Sequence, residues 1–463
     1  MTFQAHWIRT YLQENVVAQE SGNSEILDDD PSFENAVVQV FGDITYQTFQ
    51  GFGGAFTEAA GSVLNQLPKE VAETIVAEYF GPQGLGYVWG RIPVDSCDFA
   101  LGTYSALIVD KGKALIDERM FRDHDRCYII PYVQHAQALL ADQGKGPIEL
   151  CLVPWSPPAW MKSNGSRFNG GSLLPEFHGI WADYLCQYAR AYQKLGFTVR
   201  LLGVQNEPNA SQTWDSCRYS PQEEHDFIND HLFPCLMEHG LGTTRISIWD
   251  HNRDRMVDRT RAVCTGPVRS MVGAVAFHWY SGDHFESVGL IRELFPELLL
   301  VFTEGCVEYK HFSQSAQLEH GLRYAHQIMG DLNHGAHAWL DWNLVLDSDG
   351  GPNHVGNNCD APILASILTG TYEKRASFYF IGHFSRYIHP GAIRLAHSRF
   401  TQDLGITAWR NSDGEVVVVV LNETERTIQF SLRYQDSRIP CIAKPQSILT
   451  LLVPGTNLRV KIH

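Results

Sequence analysis

Two glutamates, Glu207 and Glu304, each follow a mainly apolar run that is typical of a buried β-strand. Glu207 stands in Gln205-Asn206-Glu207-Pro208 after the run 199–204, and Glu304 follows the run 298–302. Glutamate is depleted from strands, and a carboxylate beside apolar residues costs free energy unless something uses its charge. These two carboxylates, 97 positions apart (304 − 207), are therefore candidates for acid–base or nucleophilic chemistry.

The ends of the other predicted strands are also rich in reactive or aromatic side chains. They carry Arg91 leading to Asp98-Phe99, Trp155-Ser156-Pro157-Pro158-Ala159-Trp160, Trp249-Asp250-His251, His278-Trp279-Tyr280 and Asp341-Trp342-Asn343. One tryptophan at a strand end is usually packing, and one such histidine is usually a core residue. Seven such strand ends together are hard to explain by packing, because only the mouth of a barrel brings them to one place.

Other kinds of catalytic site lack their motifs. There is no G-x-S-x-G nucleophile turn, no glycine-rich phosphate loop and no His/Cys cluster at zinc spacing. Gly51-Phe52-Gly53-Gly54 lacks the Lys-Ser/Thr pair that follows in a phosphate loop. The sequence therefore predicts neither a metal nor a cofactor.

Two opposed carboxylates among aromatic side chains are what glycosidic cleavage requires. One must hold a proton for the leaving oxygen, and the other must be an ionised nucleophile or base at the anomeric carbon. Pro208 and its apolar neighbours are expected to desolvate Glu207 and raise its pKa. Arg91 or nearby hydroxyl and N–H donors would keep Glu304 ionised. This reasoning assigns Glu207 as the acid/base and Glu304 as the nucleophile.

The elements that would position these residues alternate between strand and helix. Strands are predicted near 51–56, 87–94, 148–153, 201–205, 246–249, 272–278, 298–303 and 336–346, with helices between them. This pattern predicts a (β/α)8 TIM barrel over residues 46–391. After residue 392 only strands are predicted, near 404–409, 416–421, 427–432 and 448–453, and residues 1–45 are also β-rich. We therefore predict that 1–45 and 392–463 together form an antiparallel β-sandwich beside the barrel.

Composition narrows the possible partners and location. The 463 residues carry 36 Lys and Arg against 52 Asp and Glu, and the net charge of −16 argues against nucleic acid or an anionic membrane as partner. No apolar stretch reaches the ~20 residues of a bilayer span, and residues 1–9 do not resemble a signal peptide. The ten cysteines show no paired spacing, so reduced thiols and a cytoplasmic location are expected.

Several segments in order resemble glycoside hydrolase family 30, the family that includes acid β-glucosidase (glucosylceramidase). They are Gly51-Phe52-Gly53-Gly54-Ala55-Phe56-Thr57-Glu58, Arg91-Ile92-Pro93, Ser96-Cys97-Asp98-Phe99, Pro154-Trp155-Ser156-Pro157-Pro158-Ala159-Trp160-Met161-Lys162, Gln205-Asn206-Glu207-Pro208, His278-Trp279-Tyr280, Thr303-Glu304-Gly305-Cys306, Asp341-Trp342-Asn343-Leu344 and Gly350-Gly351-Pro352-Asn353. Together they span roughly residues 49 to 365.

The resemblance implies a retaining mechanism on a barrel with a side β-domain built from both chain ends. It implies the same roles for the two glutamates. It also implies sugar contacts from Asp98, Trp155, Asn206 and Trp342, with Asp98 on the outer hydroxyls and Asn206 on the 2-hydroxyl. Tyr280 and His278 would sit beside the nucleophile.

Two features separate this sequence from the animal enzymes of the family. Asn357 is retained on the aglycone side, but the polar Asn358 that follows it argues against a lipid aglycone. The early disulfide cysteines of the secreted animal enzymes are absent, which favours a bacterial cytoplasmic enzyme.

The leading hypothesis is a retaining exo-acting β-glycosidase that cleaves β-glucosides, and also β-xylosides or glucosylceramide-like glycosides. Asp98 motivates the exo assignment, because a carboxylate that binds the outer hydroxyls closes the non-reducing end. The alternatives are an endo-β-1,6-glucanase of the same family and a non-catalytic carbohydrate-binding protein on the same fold. The predicted partner is a small carbohydrate or glycoside, and the oligomeric state stays open.

Overall fold

The computed structural model describes residues 4–13, 16–30 and 32–455. The chain divides into two compact units, of which one comprises Phe52–Ser313 and Ala338–Glu373. The other comprises Met1–Gly51, Gln314–His337 and Lys374–His463. The predicted barrel domain, 46–391, includes three stretches that belong to this second unit, namely 46–51, 314–337 and 374–391.

The first unit contains a closed barrel of eight parallel strands, as the alternating pattern predicts. The strands are β1 (Gly51–Ala55), β2 (Trp89–Val94), β3 (Glu149–Pro154), β4 (Thr198–Gly203), β5 (Arg245–Asn252), β6 (Val272–His278), β7 (Leu299–Glu304) and β8 (Ala338–Asp341). They pair in chain order, and β8 closes on β1. The last strand is shorter than predicted and ends at Asp341 rather than Leu346.

The barrel strands read as apolar runs because parallel strands of a barrel are covered on both faces. Trp89, Cys151, Leu201, Val301 and Leu340 belong to one buried cluster inside the barrel unit. Gly53 in β1 has a specific steric role, because a Cβ there would lie 2.3 Å from the carbonyl oxygen of Trp89 in β2. The glycine lets these two strands approach, as the sequence predicts.

Helices and short strands connect the barrel strands. The helices are Glu58–Gln66, Lys69–Phe80, Glu118–Asp123, Ile130–Asp142, His178–Lys194, Pro221–Phe227, Phe233–Glu238, Met256–Val263, Val268–Met271 and Phe285–Leu294, and the additional strands are Leu107–Asp110, Lys113–Ile116, Leu346–Asp347, Ile363–Ser366 and Thr371–Lys374. The helical segment after β4 begins at Pro221 with a capping box, in which Ser220 and Glu223 satisfy each other's backbone N–H groups. It is interrupted by a π-helical turn, Ile228–Leu232.

The second unit is built on a ten-stranded sheet to which both ends of the chain contribute. Its strands are Gln4–Gln13, Val16–Glu25, Leu27–Asp28, Val37–Thr48, Ile393–Arg399, Leu404–Arg410, Val416–Asn422, Ile428–Tyr434, Ser437–Ala443 and Ser447–Val453, and its helices are Gln317–His334 and Ala376–Ser385. Gln4–Gln13 pairs with Ser447–Val453, and Val37–Thr48 pairs with Ile393–Arg399. The two chain ends thus share one sheet, as predicted. Among the described residues, no helix has the length and apolar character to cross a membrane.

Candidate active site

An open cavity of about 600 Å³ lies at the carboxyl ends of the barrel strands. It collects eight of the ten residues singled out from the sequence, namely Asp98, Trp155, Asn206, Glu207, Tyr280, Glu304, Trp342 and Asn357. The other two, Arg91 and His278, are fully buried and bind the glutamates. Asn358 is not among the lining residues, and its side-chain amide donates to the carbonyl oxygen of Asp349 instead. Asn358 therefore carries no argument about the aglycone.

The backbone that presents Glu207 is in a conformation that L-residues rarely adopt. Glu207 has φ +48°, and its N–H donates to the carbonyl oxygen of Asp250 at 2.9 Å. Trp249 and Asp250, at the end of β5, also have positive φ values of 72° and 47°. Each such residue costs on the order of 1–3 kcal/mol, and clusters of them mark functional sites.

The Glu207 carboxylate faces two histidines. Its Oε1 lies 3.3 Å from His278 Nδ1 and 3.4 Å from His251 Nδ1, and its Oε2 accepts from Gln212 Nε2 at 3.3 Å. Burial raises the pKa of Glu207, but the charges and contacts of the two histidines outweigh burial and hold it well below its ordinary value. The prediction that desolvation beside Pro208 raises this pKa is therefore wrong.

Glu304 faces a permanent cation. Arg91 Nη1 donates to Glu304 Oε2 at 2.6 Å, and the Tyr280 hydroxyl donates to Oε1 at 3.0 Å. The other amino group of Arg91 donates to Asn206 Oδ1 at 2.8 Å and to Asp250 Oδ2 at 2.7 Å. Because an arginine does not lose its proton in proteins, Glu304 faces a fixed positive charge.

Asp250 joins the two sides of the cavity. It binds Arg91 through Oδ2, while its Oδ1 accepts from Thr303 Oγ1 at 2.5 Å and lies 3.1 Å from His278 Nε2. Burial lowers the pKa of His278, but the charge of Glu304 and the hydrogen bonds to Asp250 and Glu207 outweigh it and raise the pKa to about 9. A continuous chain of charged groups thus runs from Glu304 through Arg91, Asp250 and His278 to Glu207.

The sequence identified Asp250 and His251 only as part of a strand end and gave neither a role. The available signal was a carboxylate and an imidazole directly after the apolar run of β5. The sequence could not show that the Asp250 side chain turns towards residues on β2, β6 and β7. Nor could it show that His251 turns towards Glu207 in the loop after β4.

One wall of the cavity is aromatic. Trp155 and Trp342 stack with ring centroids 5.3 Å apart and planes at 19°. The guanidinium carbon of Arg91 lies 4.8 Å and 5.2 Å from these two ring centroids. Phe99 meets the edge of Trp342 at 6.0 Å. Such flat, rigid faces bind the C–H faces of sugar rings while their N–H groups stay available to hydroxyls.

Asp98 accepts from two amides, at 3.3 Å from Asn353 Nδ2 and at 3.5 Å from Asn357 Nδ2. Burial and then the charge of Glu304 raise the pKa of Asp98 to about 7, although both amide contacts lower it. The Oδ1 atom of Asn357 is buried without a hydrogen-bond partner in the structure. Asp98 and Asn357 thus present polar atoms that sugar hydroxyls could bind.

Two groups of side chains in the described part of the chain have donor atoms close enough to hold a metal ion. One is Glu207, His251 and His278 in this cavity, and the other is Asp183, Cys235 and His239. Neither group was predicted from the sequence as a metal site. The geometry of the cavity group is explained by a hydrogen bond as well as by a metal, because His278 Nδ1 can donate directly to the Glu207 carboxylate.

Comparison with known proteins agrees with this geometry. Residues 49–388 match the glycosyl hydrolase family 30 TIM-barrel domain, and residues 391–451 match the family 30 beta sandwich domain. Lysosomal acid glucosylceramidase of Mus musculus is 31% identical over 408 residues, which are 84% of this chain and 78% of the mouse protein. Endo-1,6-beta-D-glucanase of Neurospora crassa is 25% identical over 430 residues, 89% of this chain and 86% of the fungal protein.

A solved structure is similar over almost the whole chain. The crystal structure of SrfJ from Salmonella typhimurium has a TM-score of 0.89 and 33% sequence identity, and covers 98% of this chain and 100% of that chain. The two matched domains of the family cover both the barrel and the sandwich of this chain. This protein is therefore a glycoside hydrolase, and we do not retain the non-catalytic alternative. The chain belongs to glycosyl hydrolase family 30.

Proposed function

We propose that this protein is a retaining, exo-acting β-glycosidase that hydrolyses β-glucosides. The observation that carries the proposal is the pair of carboxylates in one cavity, one held by Arg91 and the other by two histidines. The name of the mouse relative supports a β-glucoside substrate, since it is a glucosylceramidase. β-Xylosides and glucosylceramide-like glycosides are further candidate substrates of the same site.

In the first step, the ionised Glu304 attacks the anomeric carbon and the glycosidic bond breaks. Arg91 and Tyr280 donate to this carboxylate and fix its orientation. The leaving oxygen takes a proton from Glu207. The pKa of His278 is about 9, and its Nδ1 lies 3.3 Å from Glu207. Glu207 and His278 therefore share one proton at neutral pH, and the Glu207 carboxylate can pass this proton to the leaving oxygen.

In the second step, Glu207 is a carboxylate again and acts as the base. It removes a proton from a water molecule, which attacks the anomeric carbon and displaces Glu304. Two inversions at this carbon retain the β configuration. The retaining assignment requires the two carboxyl groups to lie about 5–5.5 Å apart.

Asp98 supports cleavage from the chain end. It is buried at 5% exposure and held by two asparagine amides, so it offers a fixed acceptor to the hydroxyls of a terminal sugar. An internal sugar of a polymer would carry a further residue on one of its outer hydroxyls. The endo-β-1,6-glucanase alternative is supported by the Neurospora relative, whose name states that activity.

The test compares substrates and follows the anomer that is released. Aryl β-glucoside, aryl β-xyloside, glucosylceramide and β-1,6-glucan are incubated with the protein and with its Glu304→Gln and Glu207→Gln variants. We expect a monosaccharide product that appears first as the β anomer by proton NMR, and loss of turnover in both variants. Unimpaired turnover in Glu304→Gln, or an α anomer as first product, would overturn the mechanism. Long oligomers from β-1,6-glucan without aryl glucoside turnover would favour the endo alternative.

A further inference from the structure

A second group of side chains that commonly bind metals lies on two helical segments of the barrel unit. Asp183 is on His178–Lys194, and Cys235 and His239 lie one turn apart at the end of the run that includes Phe233–Glu238. Their donor atoms all lie within 4.8 Å of one another. His239 Nε2 is 2.7 Å from Asp183 Oδ1.

Cys186 lies next to this group. It lies three positions after Asp183, so both side chains share one face of their helix. Its thiol contacts that of Cys235. Asp183 on one helix therefore faces Cys-x3-His on the other. Cysteine, histidine and aspartate are the ligand types of tetrahedral zinc sites.

A His–Asp ion pair beside two core thiols would explain part of this arrangement without a metal. One observation goes further. Gln187 Nε2 donates to Asp183 Oδ2 at 3.0 Å. This contact orients the carboxylate from behind, as outer-shell partners do for metal ligands. The side chains of Asp183 and His239 are 29% and 19% exposed, so an ion can reach them from solvent.

We propose that Asp183, Cys235 and His239 bind one Zn²⁺ ion that ties the two helices together, with a water molecule as the fourth ligand. Zinc–nitrogen and zinc–oxygen bonds of about 2.0–2.2 Å place tetrahedral ligands roughly 3.3 Å apart. His239 Nε2 and Asp183 Oδ1 must therefore separate by about half an ångström when the ion enters. The Cys235 thiol releases its proton to solvent, and the imidazole binds as the neutral form. The cytoplasmic location predicted from the sequence would keep both thiols reduced.

The test uses Co²⁺ as a spectroscopic substitute for Zn²⁺. The full-length protein is freed of metal with a chelator, kept under reductant and titrated with Co²⁺. We expect a thiolate-to-cobalt charge-transfer band that saturates at one equivalent and disappears on adding Zn²⁺. The active-site group, Glu207 with two histidines, contains no sulfur and cannot produce this band. The readout is therefore independent of the proposed catalytic function.

Variants distinguish the site from other thiols and from loss of folding. Cys235→Ser should remove most of the band, while Cys127→Ser, at an exposed cysteine, should leave it unchanged. Zn²⁺ should raise the Tm of the parent protein by several degrees and that of Cys235→Ser much less. Aryl glycoside turnover of metal-free Cys235→Ser reports whether the variant folds. Absence of the band at equimolar Co²⁺, or its persistence in folded Cys235→Ser, would overturn the proposal.

Discussion

The two sides of the active-site cavity hold the same functional group with different cations. Glu304 is paired with Arg91, whose charge is permanent, whereas Glu207 faces His251 and His278, whose charges depend on pH. A nucleophile must stay ionised throughout, while an acid/base catalyst must gain and lose a proton in each cycle. The cation beside each carboxylate therefore predicts its role better than the carboxylate's own burial, because both glutamates are 8% exposed.

The largest expected effect comes from removing each carboxylate in turn. Glu304→Ala and Glu207→Ala should each lower kcat by about 10⁴-fold or more on an unactivated β-glucoside. Sodium azide should then distinguish the two sides. In Glu304→Ala the azide attacks directly from the vacated face and gives an α-glycosyl azide. In Glu207→Ala, with an activated leaving group, it attacks the glycosyl-enzyme and gives the β-glycosyl azide.

Proton NMR of the two azide products checks this assignment. Exchanged products would mean that the roles of the two glutamates are reversed. Wild-type protein with azide is the control, and it should release mainly the free sugar.

The next largest effect should follow the loss of Arg91, because it satisfies three acceptors at once. Arg91→Met should lower the free energy of unfolding by roughly 3–5 kcal/mol, since it leaves Asp250 and Glu304 as buried, uncompensated charges. Arg91→Lys should restore only part of the stability, because one ammonium cannot reproduce the forked contacts. Urea unfolding at pH 7 measures both changes. Arg122→Met is the matched control, since this arginine is 65% exposed and should change stability by under about 0.5 kcal/mol. An equally small effect of Arg91→Met would contradict the charge network.

The barrel could be predicted from the sequence because its signal is local. The strands are runs of four to eight mainly apolar residues. Polar or aromatic residues stand at their ends or in the few positions that follow. The catalytic candidates followed from the same local rule. The strand Ser437–Ala443 was missed because Pro440 lies within it, and proline normally argues against a strand. Ile393–Arg399 was missed because its polar residues weaken the apolar pattern of a strand. Its partner strand, Val37–Thr48, also lies far away in the sequence.

The pKa of Glu207 could not be predicted, because its determinants are distant in sequence. Its chain neighbour Pro208 suggested an apolar environment, but the groups nearest in space are His251 and His278, which are 44 and 71 positions away (251 − 207 and 278 − 207). The role of Asp250 was missed for the same reason. A sequence shows that a strand ends in Asp, but it does not show which strands face that side chain.

The difference between the two sides should also appear in the pH dependence of stability. The folded-state pKa of His278 is about 9 against an ordinary value of 6.5, so the folded state binds more protons between these values. The contribution of His278 is fully present below pH 6.5 and is lost as the pH rises through 9. It amounts to at most about 3.5 kcal/mol at about 1.4 kcal/mol per pKa unit. His278→Gln should flatten the decline of unfolding free energy over this window.

His383 offers a comparison of opposite sign. It is buried between Thr10 and Thr450, and burial lowers its pKa to about 3. Its effect should make stability rise with pH between about 3 and 6.5, and His383→Gln should flatten only that acidic window. Denaturant titrations at a series of pH values measure both slopes. An alkaline decline that is unchanged in His278→Gln would contradict the assignment.

The smallest expected effect concerns the neutral partner of Glu207. Gln212 Nε2 donates to Oε2 at 3.3 Å, and a donor of this kind stabilises the ionised carboxylate. Gln212→Ala should therefore raise the pKa of Glu207 and move the alkaline limb of the kcat/KM profile to higher pH. A hydrogen bond of about 1 kcal/mol limits the change in kcat to less than about tenfold.

Gln222→Ala, which removes an exposed contact with Asp226, should leave the profile unchanged. The acidic limb provides the contrast, because Gln212 contacts Glu207, and its substitution should leave the acidic limb unchanged. A shift of the alkaline limb to lower pH, or an equal shift of both limbs, would mean that the two carboxylates do not titrate separately. The protonation of Glu207 would then be set by the whole chain of charges through Asp250, rather than by the groups in contact with its own oxygens.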